Sequence, residues 1–213
     1  MSAAARRAPA RTGRRAGSSG TRERILGAAR ASFGEHGFDG ATIRAIGARA
    51  GVDPALVHHY FGSKQQLFVA AMEFPQDFEA VVPRLLAGPP GELGERLVRY
   101  ALELWEAPAM QPLLLGLLRS ATSDPVAAGM LRRLLAEGPF LALAAATDRP
   151  DAPVRAVLAG TQLIGLALAR HVVQVEPLAS APVERLVRAI GPTIQRYLAG
   201  DLDEGRRAPA SGA

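Results

Sequence analysis

The sequence predicts an all-α chain, and three observations carry that prediction. Apolar residues recur at three- and four-residue steps through most segments between turn signals. No alternating apolar and polar run long enough for a strand stands out, and no internal repeat is visible. Residues 42–61 spell a short helix, a glycine turn and a second, capped helix, the order of a helix-turn-helix.

The first helix is expected from near Thr21 to about His36, with Ile25, Ala29 and Phe33 on one face and Gly37 as its stop. Thr42 can cap the next helix through its hydroxyl, and Ile43, Ile46 and Ala50 share a face. Gly51 stands where a left-handed residue ends a helix. Asp53 and Pro54 restart the chain as N-cap and first helical residue. In that second helix only Val57 belongs clearly in a core, flanked by Val52 and Phe61. Ala55, Leu56, His58, His59 and Tyr60 surround it without an acid. Small residues allow close approach, and imidazole and phenol groups can contact base edges or phosphates. The alternative is a short amphipathic helix in an ordinary bundle. Ser63 and Gln66 form a capping-box pattern that opens a fourth helix, with Leu67, Phe68, Ala71 and Met72 turned towards the body.

Beyond residue 74, prolines and glycines punctuate a helical pattern that includes Leu93, Leu97, Ala101 and Leu104, then Met130 and Leu134. The glycines at 88–94 make no phosphate loop, because no Lys-Ser/Thr follows them and no strand precedes. Residues 153–173 are almost all apolar or small, which predicts a helix buried on more than one side. As a membrane span the run is too short between Arg155 and Arg170, and Gln162 splits it. A last helix carries Val183, Leu186, Val187, Ile190, Ile194 and Tyr197, with Gly191-Pro192 expected to kink or divide it. An outer apolar face needs a partner, and a self-complementary one favours a two-fold dimer.

Charge is unevenly placed. Residues 1–24 hold seven Arg against Glu23, whereas residues 75–213 hold fourteen Arg against fifteen acids. The basic excess of the chain therefore lies in an N-terminal arm. Such an arm suits phosphate contact or minor-groove insertion; a solvated tail is the alternative. With Ala and Pro as its only apolar residues after Met1, the arm lacks the apolar face of a transit peptide and the core of a signal peptide. There is no Cys, hence no disulfide scaffold, thiol nucleophile or Cys-type zinc site. Four His are present, and neighbours His58 and His59 project about 100° apart on a helix, unlike a chelating i, i+4 pair. No hydrolase elbow or nucleotide fingerprint is found. No cofactor, no metal and no catalysis are expected.

Residues 21–72 resemble the TetR/AcrR-type bacterial transcriptional regulators. The resemblance rests on Arg24-Ile25-Leu26-Gly27-Ala28-Ala29, Phe33-Gly34-Glu35-His36-Gly37-Phe38, Thr42-Ile43, Ile46 and Ala50-Gly51-Val52. His59-Tyr60-Phe61-Gly62-Ser63-Lys64 and Leu67-Phe68 complete it. It implies a three-helix DNA-binding head followed by a helical ligand-binding and dimerisation domain. Ala55, Leu56 and His58, after Pro54, are expected at bases, and Thr42, Arg44, His59, Tyr60 and Lys64 at phosphates. A pocket is expected from Trp105, Met110, Leu113, Leu114, Leu117, Leu118, Met130, Leu134 and Phe140, residues that core packing alone would also explain. The family's four-helix dimer interface falls on Ala159, Gly160, Leu163, Gly165, Leu166, Ala169, Ile190 and Ile194.

The expected organisation is a disordered arm (1–20), a DNA-binding domain (21–72), a regulatory and dimerisation domain (73–199) and a disordered tail (200–213). The expected function is a cytoplasmic, nucleoid-associated homodimeric repressor. It would hold a palindromic operator in double-stranded DNA and be released by a hydrophobic small-molecule inducer, with no membrane partner. The alternatives are a ligand-independent architectural DNA binder, or a helical small-molecule-binding protein or enzyme with an incidental arm.

Overall fold

Capping and glycine turns set the boundaries of the N-terminal helices in the computed structural model, which describes residues 16–72 and 78–202. Helix α1 (Ala16–Gly40) is interrupted at Gly37, whose φ of 68° and ψ of −175° are non-helical. It begins earlier than the expected Thr21, so residues 16–20 belong to it; arm residues 1–15 lie outside the described residues. Then come α2 (Ile43–Ala50), α3 (Pro54–Phe61) and α4 (Lys64–Ala71), the last opened by the Ser63–Gln66 capping box. Their core contains Ile25, Phe33, Ile46, Val57, Leu67, Phe68 and Met72. Phe33 and Phe68 meet edge to face, with ring centres 4.9 Å apart.

The body comprises α5 (Phe78–Leu86), a 3₁₀ turn (Pro90–Glu92), α6 (Leu93–Glu106), α7 (Gln111–Ser120), α8 (Pro125–Ala136) and α9 (Pro139–Ala145). Helix α10 (Ala152–Ala167) continues into one π turn (Leu168–Val172), and α11 (Val183–Ala199) closes the described part. No strand occurs among the described residues. Of the expected disordered tail, residues 203–213 lie outside them.

Gly191-Pro192 does not divide the last helix, contrary to expectation: α11 runs unbroken through both. The glycine serves a close crossing instead. A Cβ on Gly191 would lie 2.5 Å from Glu95 Cγ, and one on Gly94 would collide with the Gly191 carbonyl. Pro192 faces solvent. Gln195 fastens the crossing: its Oε1 accepts from the Gly94 N–H at 2.8 Å, and its Nε2 donates to Pro90 O at 3.0 Å.

Residues 152–172 are long and apolar enough to cross a membrane by length and composition. Their inner face, however, joins the body's core through Ala156, Ala159, Leu163 and Leu166. Arg155, only 4% exposed, donates to Pro150 O, Tyr197 O and Gly200 O at 2.8–3.0 Å. It thereby satisfies carbonyls at the C-terminal end of α11, where the helix dipole also favours a cation. Arg155→Met should strip those acceptors of their donor and cost about 2–4 kcal/mol. Thermal unfolding should report it as a midpoint roughly 4–16 °C lower; an unchanged midpoint would show that water replaces the guanidinium.

His171, in the π turn, has a buried Nε2 without a hydrogen-bond partner. Burial, with Arg170 beside it, pulls its pKa below the ordinary histidine value. The folded state thus disfavours the imidazolium. Its contribution to stability is complete above about pH 6.5 and declines as the pH falls towards the lower folded value. Chemical denaturation at pH 7.5 and pH 5.5 should show that decline shrinking in His171→Gln.

Candidate nucleic-acid interface

The helix-turn-helix is built by three local devices. Thr42 Oγ1 accepts from Ala45 N–H at 3.1 Å and caps α2. Gly51, at φ 66° and ψ 39°, ends it: Gly51 N–H donates to Ala48 O at 3.2 Å and Val52 N–H to Gly47 O at 2.9 Å. That pair of bonds is a Schellman motif. Asp53 then accepts from Ala55 N–H at 2.7 Å and caps α3, with Pro54 as its first residue. Ile46, Ala50, Val57 and Phe61 are buried beneath the turn.

That burial decides what α3 presents. Ala55, His58 and His59 are exposed, whereas Pro54, Leu56 and Tyr60 are half-buried. Thr42, the cap of α2, and Arg44 within it are exposed; Thr42 keeps its own O–H free to donate, since its cap bond uses the oxygen as acceptor. Helix α3 itself has no acid, and the adjacent Asp53 is engaged in its cap. Lys64 is less free than expected: Nζ donates to Asp39 O at 3.3 Å and lies 4.6 Å from the centre of the Phe38 ring. It ties the start of α4 to the end of α1 and leaves further N–H donors for an anion. Arg49, which sequence reasoning passed over, contacts both Glu35 oxygens at 2.8 Å, and that bond holds the Glu35 carboxyl below its ordinary pKa. Gly62 was also missed. Its φ of 73° turns the chain sharply after α3, and its carbonyl meets His58 Nδ1 at 2.8 Å.

Head and body are joined through α1 and α7. A Cβ on Gly34 would lie 2.9 Å from Pro112 O, and one on Gly116 3.2 Å from Phe33 C. Ser120 Oγ accepts from Phe38 N–H at 2.7 Å, and Arg119 donates to Gly34 O. Helix α7 also serves both cores. Leu113 and Leu117 enter the head's core, while Leu114 and Leu118 enter the body's.

The body holds a partly open apolar cavity of about 60 Å³. Of the expected pocket residues, Trp105, Leu114, Leu134 and Phe140 line it, joined by Tyr100, Leu143 and Ile164. The other expected positions are corrected. Met110, Leu113 and Leu117 are buried in the head's core, Met130 packs against that core, and Leu118 belongs to the body's core without lining the cavity. Helical spacing identified these residues as inward-facing but could not tell which of two cores each one faced. Tyr100 supplies a phenol on the wall, and burial raises its pKa while nearby Arg84 opposes the rise.

Five of the eight expected dimer residues lie inside the protomer. Ala159, Leu163, Leu166 and Ile194 are buried inside the protomer, and a Cβ on Gly160 would lie 2.6 Å from Leu135 Cδ2. They face inward, Ile190 and Ala169 are half-buried, and only Gly165 is exposed. The outward stripe is Val154, Val157, Thr161, Gly165 and Leu168, with Val154 55% exposed. A helix apolar nearly all round gives periodicity no contrast between its two faces.

A helix-turn-helix head on an all-helical body defines the class, and comparison with known proteins gives the family. Residues 25–71 match the model of the bacterial regulatory proteins of the tetR family, and residues 91–198 match the tetracyclin repressor-like C-terminal domain. A TetR-family regulator from Streptomyces coelicolor A3 is 37% identical, with 88% of this chain and 99% of that one covered and a TM-score of 0.59. The chain belongs to the TetR family. NalD of Pseudomonas aeruginosa, the secondary repressor of the MexAB-OprM multidrug efflux pump, shares the fold at 21% identity and a TM-score of 0.62, over 87% of this chain and 98% of its own. The transcriptional regulator BetI of Brucella anthropi is 40% identical over 68 residues, 30% of this chain and 35% of that protein. The chain therefore matches this curated relative over about a third of its length.

Proposed function

We propose that the chain is a sequence-specific, DNA-binding transcriptional repressor that acts as a homodimer in the bacterial cytoplasm, at the nucleoid when DNA-bound. The observation that carries this reading is the acid-free, exposed face of α3, held by two caps and a Schellman turn on a buried apolar base. Its N-terminal residues can enter a major groove, and a two-fold dimer would repeat the contact about 34–36 Å away or at a multiple of that spacing. Ala55 and His58 face the bases, helped by the partly exposed Leu56, and Thr42, Arg44, His59, Tyr60 and Lys64 hold the backbone.

The cavity supports release by a hydrophobic ligand. At about 60 Å³ it is far smaller than the roughly 300–1,000 Å³ of a drug-sized site. A larger ligand must push its walls apart, and Leu114 on α7 is one of them. A ligand that favours the displaced form lowers operator affinity by no more than its preference for that form.

Retention of genomic fragments by the purified chain, followed by sequencing, tests the reading; retention without sequence preference would favour the architectural alternative. On a retained operator, His58→Ala should relax base preference, while Arg44→Ala should weaken cognate and scrambled duplexes alike. Deletion of residues 1–20 removes five Arg and no acid. It should flatten the slope of log affinity against log salt by about 0.9 for each phosphate that the arm had neutralised, and an unchanged slope would make the arm a passive tail.

A further inference from the structure

The end of α3 contains a tight turn that the helix-turn-helix itself does not require. Ser63 N–H donates to Phe61 O at 2.9 Å, and Gly62 between them has φ 73° and ψ −77°. That is a γ-turn with positive φ, a rare and strained conformation. The backbone angle disfavours any side chain there, and a Cβ would also displace Gln66 Oε1 from its place in the capping box. The turn brings the Gly62 carbonyl within 2.8 Å of His58 Nδ1. Gly62 N–H also donates to His58 O at 2.8 Å, so the two residues are bonded through both backbone and side chain.

A carbonyl oxygen can only accept, so His58 Nδ1 must carry a hydrogen. In neutral imidazole the other nitrogen is then a bare acceptor. His58 is exposed on the face of α3 that carries no acid. Resting on the regulator reading above, we propose that the Gly62 turn fixes His58 as a hydrogen-bond acceptor that determines sequence specificity, reading the exocyclic amine of adenine (N6) or cytosine (N4) in the major groove. Guanine N7 and O6 and thymine O4 are themselves acceptors and offer such a nitrogen nothing. A neutral acceptor is equally useless to a phosphate oxygen. His58 therefore differs in role from the phosphate-holding groups around it.

Two measurements on the full chain at pH 8 test this. Long-range ¹H–¹⁵N NMR, with the His58 signals assigned by their loss in His58→Ala, should show a protonated Nδ1 and a bare Nε2. The reverse tautomer overturns the proposal. Duplexes are next selected from a random pool by wild type and by His58→Ala, and the base pair whose preference collapses in the variant is identified. Removing the amine there, as purine for adenine or pyrimidin-2-one for cytosine, should weaken wild type roughly 5- to 30-fold and leave His58→Ala unaffected. The 7-deaza purine at the same pair should have no effect on wild type, and the salt slope should be the same in both proteins. A loss on 7-deaza substitution without one on amine removal overturns this assignment alone. Failure to select any preferred duplex overturns it together with the regulator reading, whatever tautomer the NMR shows. His58 is exposed, so its removal should leave the melting temperature within a few degrees of wild type.

Discussion

Arginines at Gly165 and Leu168 are expected to give a folded monomer that no longer holds its operator. Both positions lie on the outward stripe of α10 and its π turn, and a Cβ on Gly165 meets nothing within 4 Å. Gly165 has open space beside it and Leu168 is 42% exposed, so both long side chains can reach solvent from the protomer. A dimer seated on that stripe cannot, because burying guanidinium groups without partners costs several kcal/mol. Each head alone touches one half-site, and losing the second should reduce operator affinity by orders of magnitude. Sedimentation should show the monomer, with a melting profile that still reports a folded chain. A double variant that remains dimeric and bound to its operator would place the interface elsewhere.

That choice of residues shows where the sequence was informative. The reading head was legible because its signals are local. Thr42, Gly51, Asp53 and the Ser63–Gln66 box each act within a few residues, and each is seen in the structure. Its exposed face followed from the same spacing, since Val57 and Phe61 fix the buried side of α3. The body was legible only as helical. Whether Leu117 supports the head or lines a cavity depends on how α7 lies between two cores, which no window of sequence records. Five of the eight expected dimer residues proved to lie inside the protomer for the same reason: Leu163 and Val157 are both apolar on one helix, and only the packing of α10 on α9 and α11 separates inner from outer. Gly191-Pro192 does not divide α11, because the glycine serves a tertiary contact with α6 that a local rule about helix breaking does not see. Gly62, finally, could be recognised as a turn, but its hold on His58 needs coordinates.

Gly34→Val should be the most damaging single change at the joint between head and body. A Cβ at Gly34 lies 2.9 Å from Pro112 O and 3.0 Å from Pro112 Cα, so the obstacle is backbone and cannot turn aside. Helix α1 must then move away from α7, carrying Phe33 away from its neighbours and stretching the bonds from Arg119 to Gly34 O and from Phe38 N–H to Ser120. Overpacking of this kind costs about 1–3 kcal/mol, occasionally more; at a chain of this size the melting midpoint should fall by roughly 2–12 °C. The consequence for DNA should exceed that for stability, because tilting a head changes the spacing of both recognition helices in the proposed dimer. Ser120→Ala separates the two effects. It removes one acceptor from Phe38 N–H without adding volume, so the protein should fold and still bind DNA. Yet movement of α7 around an occupied cavity would reach the head through one bond fewer. Operator titrations with and without a cavity-filling hydrophobic compound should therefore show full release for wild type and weaker release for Ser120→Ala at equal cavity occupancy. Equal release by both proteins would mean that coupling runs through another part of the joint, such as the contact of Gly34 with Pro112.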